Sequence, residues 1–122
     1  MFKKSLSESL TRIRPGLVSH ILLQAGDTPA DNLAIAWVEV EPGSRQQPHH
    51  HAPEQAYIVV SGRGRIKVGP ESADVQAGDL LYIPPNAEHA VENEGPEKLV
   101  YVSVTVPALD IGALYDSGQL KG

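Results

Sequence analysis

The chain has no cysteine, one tryptophan, one phenylalanine and one methionine. Without cysteine there are no disulfides, no thiolate metal sites and no cysteine nucleophile. Any metal must therefore be held by nitrogen and oxygen. Long apolar runs are also missing, and no window approaches the roughly 18 apolar residues needed to span a bilayer. The N-terminal stretch MFKKSLSESLTRIRPG has the basic start of a secretion signal, but Ser5, Ser7, Glu8, Ser9 and Thr11 break up its middle. A cytoplasmic protein is the expectation. Blocks of like charge are absent, and 10 Lys plus Arg against 15 Asp plus Glu leave a net charge of −5. That balance argues against nucleic acid or an anionic membrane as a partner.

What is present suits one globular domain: 122 residues, 41% hydrophobic and 20% charged. Between residues 17 and 107 the chain reads as short strands cut by Gly and Pro. They are Leu17–Gln24, Leu33–Glu41, Gln55–Gly62, Gly64–Gly69, two short strands around Ala77-Gly78, and Glu97–Pro107. Turn signals recur about every 8–12 residues, as in a sandwich or barrel. The all-β region is thus 17–107, flanked by an N-terminal segment 1–16 and a C-terminal segment 108–122. Ser5–Arg14 and Leu109–Tyr115, the latter with Asp110 as a cap, are candidate short helices.

The chain has five histidines, and three of them are consecutive, His49, His50 and His51. On a strand the i, i+2 spacing places His49 and His51 on one face and His50 on the other. Two imidazoles on one face make half of a metal site; an exposed basic loop after EPGSRQQP is the alternative. His20 stands alone in a mostly apolar strand and reads as a hydrogen-bonded structural histidine.

From Gly43 the chain reads G-x5-H-x-H-x3-Q-x6-G, through His49, His51, Gln55 and Gly62. From Gly78 it reads G-x5-P-x-N-x2-H-x3-N, through Pro84, Asn86, His89 and Asn93. These stretches resemble the two signature motifs of the cupin superfamily, G-x5-H-x-H-x3,4-E-x6-G and G-x5-P-x-G-x2-H-x3-N. Two positions depart from the pattern. Asn86 replaces a glycine, and asparagine tolerates a left-handed turn better than other side chains. Gln55 replaces the family's glutamate; the spacing to Gly62 selects it, whereas Glu54 falls one residue early and on the opposite strand face.

The resemblance implies an antiparallel jelly-roll barrel, also described as a double-stranded β-helix. It implies one divalent transition metal inside, held by His49, His51, Gln55 and His89. Nitrogen-rich ligation suits Fe, Mn, Ni, Zn or Cu and disfavours calcium and magnesium. Tyr57 shares the strand face of Gln55 and either fills core or faces substrate. Glu54 is a solvated carboxylate, or a general base if the strand starts with a bulge. Trp37 is core, cavity wall or dimer contact, in that order. Asn93 is expected to tie backbone segments together. The glycines and prolines of the motifs read as turn residues, and Arg45, Arg63, Arg65 and Lys67 as exterior.

Two functions follow. The first is a metalloenzyme of dioxygenase, isomerase or decarboxylase type acting on a small oxygen-rich substrate. The second is a non-catalytic sugar or small-molecule sensor. A barrel without metal is the third possibility. The family also implies a homodimer built through sheet edges, to which Leu17–Leu23 would contribute.

Overall fold

A computed structural model describes residues 1–108. Nine strands follow a 3-10 turn at Leu6–Glu8: β1 (Leu10–Arg14), β2 (Leu17–Leu23), β3 (Ala34–Val40), β4 (Glu54–Ser61), β5 (Arg63–Val68), β6 (Glu71–Gln76), β7 (Leu80–Ile83), β8 (His89–Glu92) and β9 (Leu99–Val106). They form a six-stranded sheet, β1-β2-β3-β9-β4-β7, and a three-stranded sheet, β6-β5-β8. All named pairs are antiparallel. This is the expected all-β jelly roll.

Each core strand alternates buried and half-buried residues, as a sheet with one face on a core requires. The inward residues pair across strands in rows, and the rows change character along the barrel. At one end Leu17 pairs with Val40 and Val40 with Leu99, all fully buried. The next row joins Ser19, Val38, Tyr101 and Val59. Then come Ile21, Ala36, Ser103 and Tyr57. The last holds Ala34, Thr105, Gln55 and Ile83. Burial of a large aliphatic side chain stabilises by about 1.5–3 kcal/mol. The aliphatic end therefore supplies cohesion, while small and polar residues collect around Gln55.

Two asparagines, Asn93 buried and Asn86 exposed, hold the loops that carry the motifs. Asn93 Nδ2 donates to the carbonyls of Val40 (2.8 Å) and Glu97 (2.7 Å), and its Oδ1 accepts from the Gly95 amide at 2.9 Å. It ties three backbone segments, as expected. Asn86 takes φ +63°, and its amide donates to the His51 carbonyl at 2.8 Å. The turn thus survives the loss of glycine and links the second motif to the first.

The N-terminal expectation needs correction. Ser5–Arg14 is not a helix: Leu10–Arg14 is a strand paired with β2, from Leu10↔Ile21 to Arg14↔Leu17. Sheet pairing overrides a weak local preference. The sheet thus starts ahead of residue 17, and β1 covers the edge that Leu17–Leu23 was expected to offer a partner. Of the three readings for Trp37, core and cavity wall are ruled out. It sits half-buried on the outward face of β3, and its indole donates to Glu39 at 3.1 Å. The expected helix Leu109–Tyr115 lies outside the described residues.

Gly43 and Gly62 both adopt φ +79°, but they differ in space. A Cβ on Gly43 meets open solvent; one on Gly62 would strike the Lys98 carbonyl and the Leu99 backbone. Gly43→Ala is expected to cost about 1 kcal/mol, the left-handed penalty alone. Gly62→Ala should cost at least about 2 kcal/mol more in urea melts, since backbone must move. Equal losses would show that the close approach at Gly62 carries no strain.

Candidate metal centre

The local sequence brings the histidines together through backbone pairing. His49 and His89 exchange amide–carbonyl hydrogen bonds, 3.1 Å from the His49 amide and 2.9 Å from the His89 amide. They form an isolated bridge outside the named strand pairs. His49 is therefore not on a regular strand, yet the parity argument holds: His49 and His51 are buried and His50 is exposed. His89, at the head of β8, is 1% exposed. Ring centroids of His49 and His89 lie 4.2 Å apart, His51 and His89 5.1 Å, and His49 and His51 6.0 Å. One ring nitrogen from each of the three falls within 4.8 Å of the others, so the group could hold a metal ion.

The tautomers follow from the hydrogen bonds. His49 Nδ1 donates to the Gln47 carbonyl, His51 Nδ1 to the Pro53 carbonyl and His89 Nδ1 to the Ala87 carbonyl, each at 2.9 Å. A carbonyl only accepts, so the proton is on Nδ1 and the Nε2 lone pair is free. Nε2 of both His51 and His89 is buried without a hydrogen-bond partner. Backbone carbonyls that orient a ligating imidazole in this way are a recurrent feature of metal sites.

Gln55 shows the same pattern. Its Nε2 donates to Thr105 Oγ1 at 2.8 Å, which leaves Oε1 buried and without a partner. It precedes Tyr57 by two residues on the inward face of β4, and the Tyr57 ring meets His89 edge-on at 6.1 Å. A buried polar atom without a partner costs about 1–3 kcal/mol. Three such atoms, two imidazole nitrogens and one amide oxygen, suit a borderline divalent cation. The residues present thus fit the metal that the resemblance implies. Thr105 was not singled out from the sequence; only its position opposite Gln55 reveals it.

The other candidates are placed elsewhere. Glu54 is exposed and accepts a 2.9 Å hydrogen bond from the Tyr82 hydroxyl. Its register with Val106 continues regularly into Gln55↔Thr105, so the bulge that would turn it inward is not there. A general-base role for Glu54 has no geometric basis. His20 is half-buried near Ser9 Oγ (3.3 Å), Thr11 Oγ1 (3.4 Å) and Glu39 Oε2 (3.5 Å). It is structural, as expected. Arg45, Arg63, Arg65 and Lys67 are exposed. A surface cleft of about 520 Å³ beside Arg63, Asp74 and Glu94 contains none of the histidines.

A jelly-roll barrel with a buried three-histidine cluster defines the class. Residues 36–105 match the cupin-domain family, and the chain belongs to it. It is 31% identical over 78 residues to the dimethylsulfoniopropionate lyase DddW of Ruegeria pomeroyi, covering 64% of this chain and 51% of that protein. It is 35% identical over 78 residues to the oxalate decarboxylase OxdC of Bacillus subtilis, covering 59% of this chain and 20% of that protein. Among solved structures, an RmlC-like cupin from Shewanella frigidimarina superposes with a TM-score of 0.76 at 20% identity, covering 90% of this chain and 94% of that one. The matched regions span 15%, 60% and 51% of the first three curated relatives. Among the described residues no helix is long and apolar enough to cross a membrane.

Burial, reinforced by the neighbouring His49, lowers the His89 pKa from 6.5 to about 3. Burial likewise lowers that of His49, with His51 and His50 adding to it. In metal-free protein the folded His89 stays neutral while the unfolded one protonates below 6.5, so stability falls as pH drops from about 6.5 toward 3. The full loss is on the order of 5 kcal/mol at 1.36 kcal/mol per pK unit. Chelator-treated protein should show this fall in urea melts, and His89→Gln should flatten it. A pH-independent wild-type stability would show that His89 is not buried neutral.

Proposed function

We propose that this protein is a metal-dependent cupin enzyme acting on a small oxygen-rich substrate. The supporting observation is the set of buried lone pairs without partners on His51, His89 and Gln55, with His49 completing the cluster. In this reading His49, His51, His89 and Gln55 hold one divalent transition metal, from among Fe, Mn, Ni, Zn and Cu. The bound ion supplies Lewis acidity toward a substrate oxygen. The chain's own residues do the rest. The three Nδ1–carbonyl hydrogen bonds hold the rings in place before substrate arrives. Thr105 fixes which end of the Gln55 amide is free. Tyr57 packs its ring edge-on against His89 and supports that imidazole from the core.

Reaction type follows the relatives. OxdC is an oxalate decarboxylase with Mn(II) centres, and another relative is an H2HPP isomerase. Decarboxylation, isomerisation and dioxygenation share capture of a substrate oxygen, so the site supports this group of reactions. A non-catalytic binding module is the second reading. It is favoured by the lack of any buried Asp, Glu, Lys or Arg among the described residues, which leaves no obvious acid–base partner.

Metal content of protein purified without a histidine tag tests the site. Wild-type protein should carry close to one equivalent, and His51→Ala should lower metal affinity by at least about tenfold. Unchanged metal in His51→Ala would sink the ligand assignment. Turnover by the metal-loaded protein on any of a panel of diketones, keto-sugars and hydroxy acids supports the enzyme; saturable binding with no turnover supports the module.

A further inference from the structure

We infer that the outward face of β7, β4, β9 and β3 is a docking surface, and that its occupant is the chain's own segment 109–122. This face lies on the opposite side of the sheet from Gln55 and Tyr57.

The first observation is that β9 has an inverted pattern. It reads Leu-Val-Tyr-Val-Ser-Val-Thr-Val, with Ser103 and Thr105 inward and Val102, Val104 and Val106 outward. An antiparallel strand with one solvated face shows the reverse, apolar in and polar out; a near-continuous apolar run belongs to a strand covered on both faces. The registers extend this across the neighbouring strands. Leu80, Ile58, Val102 and Trp37 form one outward row, and Tyr82, Ala56, Val104 and Ile35 form the next. Leu80, Tyr82 and Ile58 are 64%, 54% and 43% exposed. The outward face of the three-stranded sheet differs: Asp74, Arg65 and Glu92 stand side by side, with Lys67 further along β5. A contiguous apolar patch confined to one outer face marks an interaction surface.

The second observation is size. With strands about 4.8 Å apart and same-face residues about 6.8 Å apart along each strand, the two rows cover roughly 260 Å². A stable complex of two proteins buries about 800 Å² on each. The face is therefore too small to hold a second copy by itself, and it suits one short segment. Its margins are polar: His20 adjoins Trp37 on β2, and Glu54 stands opposite Val106.

The third observation is where the chain goes next. β9 ends at Val106, an outward residue bordering this face, and the sequence continues into residues 109–122, which lie outside the described part. These residues include Leu109, Ile111, Leu114, Tyr115 and Leu120. Ile111, Leu114 and Tyr115 have the i, i+3, i+4 spacing of an apolar stripe. Covalent attachment at the border of the face gives this segment an effective concentration that a separate partner lacks.

The chain has one tryptophan, Trp37, on this face, and no cysteine. A nitroxide attached at an introduced cysteine therefore reads contact directly, because nitroxides quench indole only at close range. In the full chain, the label on Leu114→Cys or Ile111→Cys should quench Trp37 at least about twofold, whatever the protein concentration. The label on Lys67→Cys, outward on the other sheet, should not. Adding Ile58→Lys and Val104→Lys should release the quenching, since both put charge beneath the segment. No quenching from either labelled position in folded protein overturns the inference. Quenching that survives both lysines also overturns it, because apolar contact then holds nothing in place. Labelled Leu114→Cys/Trp37→Phe chains mixed with unlabelled wild type supply the last arm. Quenching of the wild-type Trp37 in that mixture would make a second copy the occupant and overturn the assignment to 109–122.

Discussion

The paired hydrogen bonds between the backbones of His49 and His89 bring together two sequence motifs that are otherwise far apart. They fix the spacing of two imidazoles at the level of main chain, where displacement is most costly. A second backbone bond, from the Asn86 amide to the His51 carbonyl, adds the third. Side-chain orientation then needs only one more contact each, and a nearby carbonyl provides it for all three rings. The cluster is preorganised because its histidines are anchored twice, once through backbone and once through Nδ1.

Such a cluster is unfavourable on its own. It buries lone pairs without partners and keeps His89 neutral well below its usual pKa. The barrel tolerates it by dividing its interior. Leu17, Val40 and Leu99 close one end with aliphatic packing. At the other, Ala34, Ala36, Ser103 and Thr105 take the inward positions of β3 and β9 near Gln55. Aliphatic packing and the polar histidine cluster thus sit at different levels of one barrel, and a binding cation would stabilise the polar end.

Much of this was legible beforehand because it depends on spacing. Strand parity separated His50 from His49 and His51, and the distance to Gly62 chose Gln55 over Glu54. Asn93 and Asn86 were readable because buried asparagines and left-handed turns each have few solutions. What escaped was set by partners distant in sequence. β8, four residues reading His-Ala-Val-Glu, is too short to show a strand pattern and exists because β5 and the His49 segment pair with it. Leu10–Arg14 looked helical but adds to the edge of β2. Thr105 acquires meaning only from standing opposite Gln55, 50 residues away along the chain. Trp37, for which core was the first of three readings, lies on the outer face because Ala34 and Ala36 hold the inward positions.

X-ray absorption at the metal edge of Zn- or Co-loaded protein tests the central claim most directly, because it counts and identifies ligands without requiring a substrate. Three imidazoles and a light oxygen donor should appear at about 2.0–2.2 Å, with the multiple scattering characteristic of imidazole. In His89→Ala the imidazole count should fall by one. A shell dominated by oxygen with fewer than two imidazoles would contradict the assignment of His49, His51 and His89 as the metal centre.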